Sequence, residues 1–381
     1  MKKILYIRSG PYEVNYNDYN LQEIGLGRAL CSKGYDVDIV YYTKKNNRIQ
    51  TIDSENDNTK LRILWTKGIK ILRTGIYPTI LKKEFLSKYN VVIISEYSQI
   101  MTVLVSHLHK NVYIYNGIYY NLFKIPIMEF VYDKLFCNYL DKNVKHIFCK
   151  TNMSKKYLEK KGLNKCSVVG VGLDTEKFKQ NEKIETKTKE LLNKMNNHRN
   201  ILYVGSISKR KNVEILVKAF NLIKRQKEYN DVQFIIIGKN DKRYLEYCKS
   251  LIDRESDKSV IYTEHINNSQ LKNIYNNADL FMLASKQEIF GMVLLEAMYF
   301  GVPTISSKSA GAETLIINNE SGFLIDGFNE NDWYKKIIDV IDDKEKCIKI
   351  GKKAHNRIIE NFMWDNIADK MLKNIKKNEI C

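Results

Sequence analysis

At 381 residues with ordinary hydrophobic content, the chain is long enough for two domains, and its composition excludes both a disordered and a membrane-embedded protein. Its formal net charge of +18 favours contact with something anionic, whether nucleic acid, a phosphate-bearing small molecule or an acidic membrane face, without choosing among them. Much of that excess lies in lysine doublets such as Lys82-Lys83 and Lys352-Lys353, read as solvated surface.

In chain order, the first apolar run is Ile4-Leu5-Tyr6-Ile7, which stops at Arg8 and is too short for a signal-peptide core. No later run reaches a membrane-spanning length, so a cytoplasmic location is expected. Cys31, Cys137, Cys149, Cys166, Cys248, Cys347 and Cys381 are scattered without metal or redox spacing, which predicts free thiols in a reducing compartment. Short apolar strand-like runs alternate with helix-period segments through both halves: 3–7, 37–42, 91–95, 112–115 and 146–149, then 201–204, 233–237, 260–263, 280–283 and 303–307. That alternation predicts an α/β protein of two doubly wound parallel-sheet domains, with ligands at the carboxyl ends of the strands.

The two halves open alike. Ile4 to Gly10 and Ile201 to Ser206 each read as a strand running into a small-residue loop where backbone can approach a ligand. Domains at 1–178 and 179–361 follow, with a surface connection and short helix from Lys179 to Asn200. Residues 362–381 read as a closing helix that packs on either domain, a crossing back to the first being one of the two arrangements. The run Pro126 to Leu140 starts with proline at a helix mouth and is apolar over more than one face. It reads as a packed helix or as a membrane-surface or acceptor-binding one. His107 and His109 lack a third nearby ligand, so no metal site is expected there.

Asp279 to Ser307 is the most informative stretch, reading strand, loop, helix, stop, strand. Gly291 stands at the helix mouth, Gly301 fits its C-terminal cap and Pro303 opens the next strand. Unpaired amides around Gly291, Met292 and Val293, helped by the helix dipole, would seat a diphosphate. Glu288 and Glu296 flank that seat with seven residues between them. Two readings stand for the pair: both carboxylates point into one cleft and accept from sugar or ribose hydroxyls, or Glu288 caps the helix while Glu296 lies on the surface.

This segment resembles the Glu-x7-Glu signature of the family-four retaining glycosyltransferases of the GT-B fold. The stretches Gly301 to Ile316, Ser321 to Asp326, Val168 to Phe178 and Tyr203 to Phe220 resemble the family's neighbouring segments in order and spacing. The resemblance implies two Rossmann-like domains facing a cleft, the second binding a nucleotide diphosphate sugar, with UDP the commonest base. It implies Lys211 on the donor phosphates, Glu288 holding or polarising the transferred sugar, Phe290 to Val293 offering amides, and Glu296 on the ribose. A lysine there makes sense, because the leaving diphosphate gains negative charge. Glu288 and Lys211 are therefore the catalytic candidates, and Gly10, where the family's loop closes over the donor phosphates, either joins the donor set or makes an ordinary turn.

Two departures stand out. Ser206 replaces an arginine common in the family, so one phosphate contact is missing or is supplied by Lys209 or Arg210. Asn116 stands where many members carry a histidine near the reacting sugar; an amide can hydrogen-bond but cannot titrate. The family's front-face mechanism, in which the leaving phosphate helps deprotonate the acceptor, needs no histidine base and no cofactor or metal. A glycan or lipid-linked acceptor, as in surface or capsular polysaccharide assembly, is what such enzymes often serve, with an anionic membrane as peripheral partner. A sugar phosphorylase or nucleotide-sugar epimerase is the competing enzyme class. A nucleic-acid-binding protein has only the charge in its favour, with no zinc-finger spacing, aromatic RNA-binding strand or basic helix stripe.

Overall fold

The computed structural model describes residues 2–15, 21–52, 58–71, 73–123, 125–179 and 183–380. Cys381 and positions 180–182 of the expected connection lie outside the described residues. The chain divides into two compact units, Met1–Asp174 with Phe362–Cys381, and Thr175–Asn361.

The first unit is built on β1 (Lys3–Ile7), β2 (Asp36–Thr43), β3 (Arg48–Ile52), β4 (Leu61–Lys67), β5 (Ile69–Ile71), β6 (Thr74–Ile76), β7 (Val91–Ser95), β8 (Val112–Asn116), β9 (His146–Cys149) and β10 (Cys166–Val168). Eight of them form one sheet in the order β10-β9-β8-β7-β1-β2-β4-β3, parallel except where β3 runs against β4. β5 and β6 make a separate antiparallel pair. The central strands are almost wholly buried, which is why they read as unbroken apolar runs rather than as an alternation. β3, β4, β5, β6 and β10 are additions to the expected strands. β3 and β5 are edge pieces of mixed, mostly exposed sequence, whose pairing depends on a neighbour and not on their own apolar pattern.

Asp38, 3% exposed in the middle of β2, is the chief charge inside this unit. Arg62 of β4 meets it with two parallel bonds of 2.7 Å from Nε and Nη2, and the Tyr89 hydroxyl donates to it at 2.7 Å. The Asp38 hydrogen bond and charge raise the Arg62 pKa against the burial that would lower it.

The closing helix Trp364–Ile380 packs on the helix Gln22–Ser32 of the first unit. The Trp364 indole lies over Gly25 and Gly172, where a β-carbon would come within 2.0 and 2.4 Å of it. Only glycine leaves room for that ring.

The second unit carries β11 (Arg199–Val204), β12 (Val232–Ile237), β13 (Val260–Thr263), β14 (Leu280–Leu283), β15 (Thr304–Ser307) and β16 (Phe323–Ile325) in a wholly parallel sheet ordered β13-β12-β11-β14-β15-β16. In the connection before it, the helix Thr186–Met195 buries Leu191 and Met195. Both sheets are doubly wound. β1 has β2 on one side and β7 on the other; β11 has β12 and β14. At each of these positions the strand order reverses, and the loops leaving the two strands part to open a crevice at their carboxyl ends.

Replacing Arg62 by methionine leaves the buried Asp38 charge without its cation, with only the Tyr89 bond kept, so the unfolding free energy should drop by about 3 kcal/mol in a denaturant titration.

Candidate functional site

In the second unit the expected site residues gather at the reversal between β11 and β14. The chain leaves β11 through Gly205 and exposed Ser206, turns at Ser208, and brings Lys211 to the base of the helix Val213–Lys224. It leaves β14 through Ala284 and Ser285 and reaches Glu288. The Arg210 carbonyl accepts from the Lys286 amide at 2.9 Å, and Arg210 Nη1 donates to the Gln287 carbonyl at 2.8 Å, tying the two loops together. Across that seam the Lys211 ammonium pairs with Glu288 Oε2. Both side chains are mostly but not wholly enclosed, at 10% and 14% exposure, so their attraction is less screened than that of a surface pair. Arg210 Nη1 stands 3.6 Å from the same carboxylate oxygen, and Ser285 Oγ donates to it at 3.5 Å.

Burial raises the pKa of the nearby Tyr203 phenol, and the Glu288 charge raises it further. The phenol stays protonated and donates to the Ser206 carbonyl at 2.9 Å, fixing the β11 loop.

Gly291 adopts φ 82°, ψ 64°, a left-handed conformation that favours glycine, and from it the helix Met292–Tyr299 begins. The helix ladder starts with the Leu294 and Leu295 amides donating to the Gly291 carbonyl at 2.9 and 3.1 Å. The amides ahead of them, Met292 and Val293, belong to the first turn, which has no intrahelical acceptors. Phe290 is buried, and its backbone presses on Gly311, where a β-carbon would sit 1.8 Å from the Phe290 carbonyl oxygen. Gly311, in the stretch after this helix, thus supports the loop from behind.

Glu296 differs from its expected placement. It has no exposed surface, and its Oε2 accepts from the Tyr275 hydroxyl at 3.1 Å. The two glutamates therefore share neither an accessible face nor the alternative of cap and surface residue. Glu288 sits in the loop, whereas Glu296 lies a turn inside a helix packed against β14, β15 and the helix Lys344–Asn361. Tyr275 comes from a distant helix, and nothing in the sequence ties it to Glu296.

Gly10 and Asn116 lie in the first unit. Gly10 follows β1 beneath the Tyr12 ring, 2.9 Å from where a β-carbon would be. Asn116 ends β8 fully buried. Its Oδ1 accepts from the Tyr97 amide at 3.2 Å, while its Nδ2 donates to the Ile118 carbonyl at 3.0 Å and to Ser154 Oγ at 2.8 Å. Those bonds use the amide to fix a turn, so it is not presented to a ligand.

The ionisable groups at the strand ends of this unit are others: Arg8 after β1, Glu96 after β7, Lys150 after β9, and Glu23 in the first turn of the helix Gln22–Ser32. No sequence spacing links these four, and only the sheet order assembles them. Among the described residues no three His, Cys, Asp or Glu side chains lie together as a metal ion would require. His107 and His109 bond separately, to the Tyr139 hydroxyl and the Tyr89 carbonyl.

Residues 183–357 match the family model described as Glycosyl transferases group 1. Over those residues the second unit is similar to that family, and its helix mouth and Lys211–Glu288 pair lie within the matched residues. The chain is 27% identical over 249 residues to the capsular polysaccharide biosynthesis glycosyltransferase CapM of Staphylococcus aureus, covering 63% of this chain and 62% of CapM. It therefore spans about three-fifths of that relative's length. Among solved structures it resembles a sucrose-phosphate synthase from Thermosynechococcus elongatus, with a TM-score of 0.71 at 19% identity over 99% of both chains. It also resembles HepE of Anabaena in complex with UDP, with a TM-score of 0.72 at 16% identity over 99% of this chain and 100% of HepE. The fold is the GT-B fold of two Rossmann-like bodies.

Gly311→Ala forces a β-carbon into the Phe290 backbone. It should lower stability by about 1–3 kcal/mol, read as a lower melting temperature.

Proposed function

We propose that the chain is a retaining glycosyltransferase that moves a hexose-type sugar from a nucleotide diphosphate sugar, with UDP as the base, onto a glycan or lipid-linked acceptor of cell-surface polysaccharide assembly. The observation that carries this reading is the Lys211–Glu288 pair at the reversal of the second sheet, beside the open first turn at Gly291. A phosphate group approaching that turn meets amides, the positive end of the helix and a lysine already held in place. Lys211 then takes up charge on the leaving diphosphate, while Glu288, released from part of its pairing, accepts from a hydroxyl of the sugar. Ser206 contributes backbone, and the guanidinium of Arg210 supplies the cation that Ser206 lacks. The leaving phosphate accepts the acceptor's proton, so the reaction needs no histidine base and no metal. Glu296 supports the mouth through Tyr275; the ribose contact expected of it requires a surface its carboxylate does not have here.

A panel of nucleotide sugars, assayed for nucleotide release with and without EDTA, should give turnover with one donor. In that assay Glu288→Gln should lower kcat by about 100-fold or more, in the range of lost transition-state stabilisation, with donor affinity changed little. Unchanged turnover would remove Glu288 from the chemistry.

An anionic membrane as peripheral partner is supported by the helix Pro126–Asn143. It packs inward through Tyr132, Cys137 and Leu140 and leaves Ile127, Phe130, Val131 and Leu135 between 47% and 66% exposed. Between Val131, Leu135, Ile71 and Phe123 runs an apolar groove of about 290 Å³ with Arg73 on its border. A row of large apolar side chains on a chain of charge +18 suits the boundary of acyl chains and acidic headgroups. Among the described residues no helix is long and apolar enough to cross a membrane. Flotation with liposomes should recover the protein only when anionic lipid is present, and Phe130→Ser combined with Leu135→Ser should abolish recovery. Equal recovery with neutral liposomes would overturn the charge dependence.

A further inference from the structure

The first sheet has its own reversal, between β1 and β7, and four ionisable side chains converge there. Arg8 Nε stands 3.8 Å from Glu23 Oε1, and the Tyr41 hydroxyl donates to Glu23 Oε2 at 3.2 Å. Lys150 Nζ stands 4.0 Å from Glu96 Oε1 and 4.8 Å from the centre of the Tyr115 ring. All four side chains keep between 12% and 20% of their surface, enough to meet a ligand from a mostly enclosed position.

Glu96 is held at φ 64°, in the left-handed region, with its carboxylate accepting from the Gly117 amide at 3.1 Å and the Ile118 amide at 3.3 Å. Burial pushes its pKa up, the Glu23 charge adds to that, and Lys150 with the two amides pulls the other way. Ser9, fully buried between the two strand ends, donates its backbone amide to Ser95 Oγ at 3.1 Å, while its own hydroxyl has no partner among the described residues.

The group carries two positive and two negative charges. An arriving phosphate would meet two carboxylates and two cations already paired with them, and would gain little. Sugar hydroxyls both donate and accept, so the carboxylates can receive from them while Arg8 and Lys150 donate. We propose that the reversal between β1 and β7 is a subsite for a neutral, polyhydroxylated sugar, bound by Glu96 with Arg8, Glu23 and Lys150, and that it rejects phosphorylated sugars. As the acceptor's place, it rests on the transferase reading above; as a sugar site, it stands on these residues alone.

Saturation-transfer NMR on the full chain tests it, with methyl α-glucopyranoside and glucose 6-phosphate as probes and UDP as control. The glucoside should bind at least tenfold more tightly than the phosphate. Glu96→Gln should weaken it at least tenfold, with UDP binding and melting temperature kept. Lys150→Met, which spares the bonds from Gly117 and Ile118 to Glu96, should weaken it as well and serves if Glu96→Gln does not fold. Preference for glucose 6-phosphate, no loss in a folded variant, or no sugar signal from a protein that binds UDP would each overturn the subsite. Glu96-dependent glucoside binding without any nucleotide binding would uphold the sugar site and sink the transferase reading.

Discussion

Everything functional in this molecule depends on a constraint of doubly wound parallel sheets: neighbouring strands whose connections leave on opposite sides cannot close the space above their ends. In the second unit that space lies above β11 and β14, and in the first above β1 and β7. The backbone there has no ladder to satisfy it, so loops with glycine, helix mouths and paired charges collect at both places. The Lys211–Glu288 pair and the Arg8, Glu23, Glu96 and Lys150 group are two products of one topology.

The two places differ in chemistry for a reason that lies in their helices. Above β14 a helix begins at the site, and its first amides and a lysine make the surroundings favourable to an anion. Above β7 the nearest charges are balanced, and the amides of Gly117 and Ile118 are already taken by Glu96. A dipole left open favours phosphate; amides consumed by a carboxylate favour hydroxyls. That contrast is what a donor and an acceptor side of one transfer would need.

The fold class is legible in the sequence because buried parallel strands must be apolar throughout, and runs such as Val91 to Ile94 or Phe234 to Ile237 admit few other readings. Strands such as β3 and β5 are not legible, since exposed edge pieces have no pattern of their own. The helix mouth at Gly291 is legible because a left-handed glycine before an apolar helix leaves a local mark. The enclosure of Glu296 is not, because it depends on Tyr275, whose approach is a matter of packing. Asn116 shows the same limit. Its alignment with a family position says where it stands, whereas its partners Tyr97, Ile118 and Ser154 decide what it does.

Residues that act through long-range assembly therefore escape a local reading even when they carry the strongest physical signals. Glu96 combines a left-handed backbone, a largely enclosed carboxylate and a raised pKa, three costs that a chain keeps only where the surroundings fix them. Its amide partners follow β8, its cation follows β9 and its carboxylate neighbour opens a helix from the other side of β1. Each of those residues is unremarked alone. The order of strands in the sheet makes them one site, and order is the part of a fold that composition, periodicity and spacing leave open.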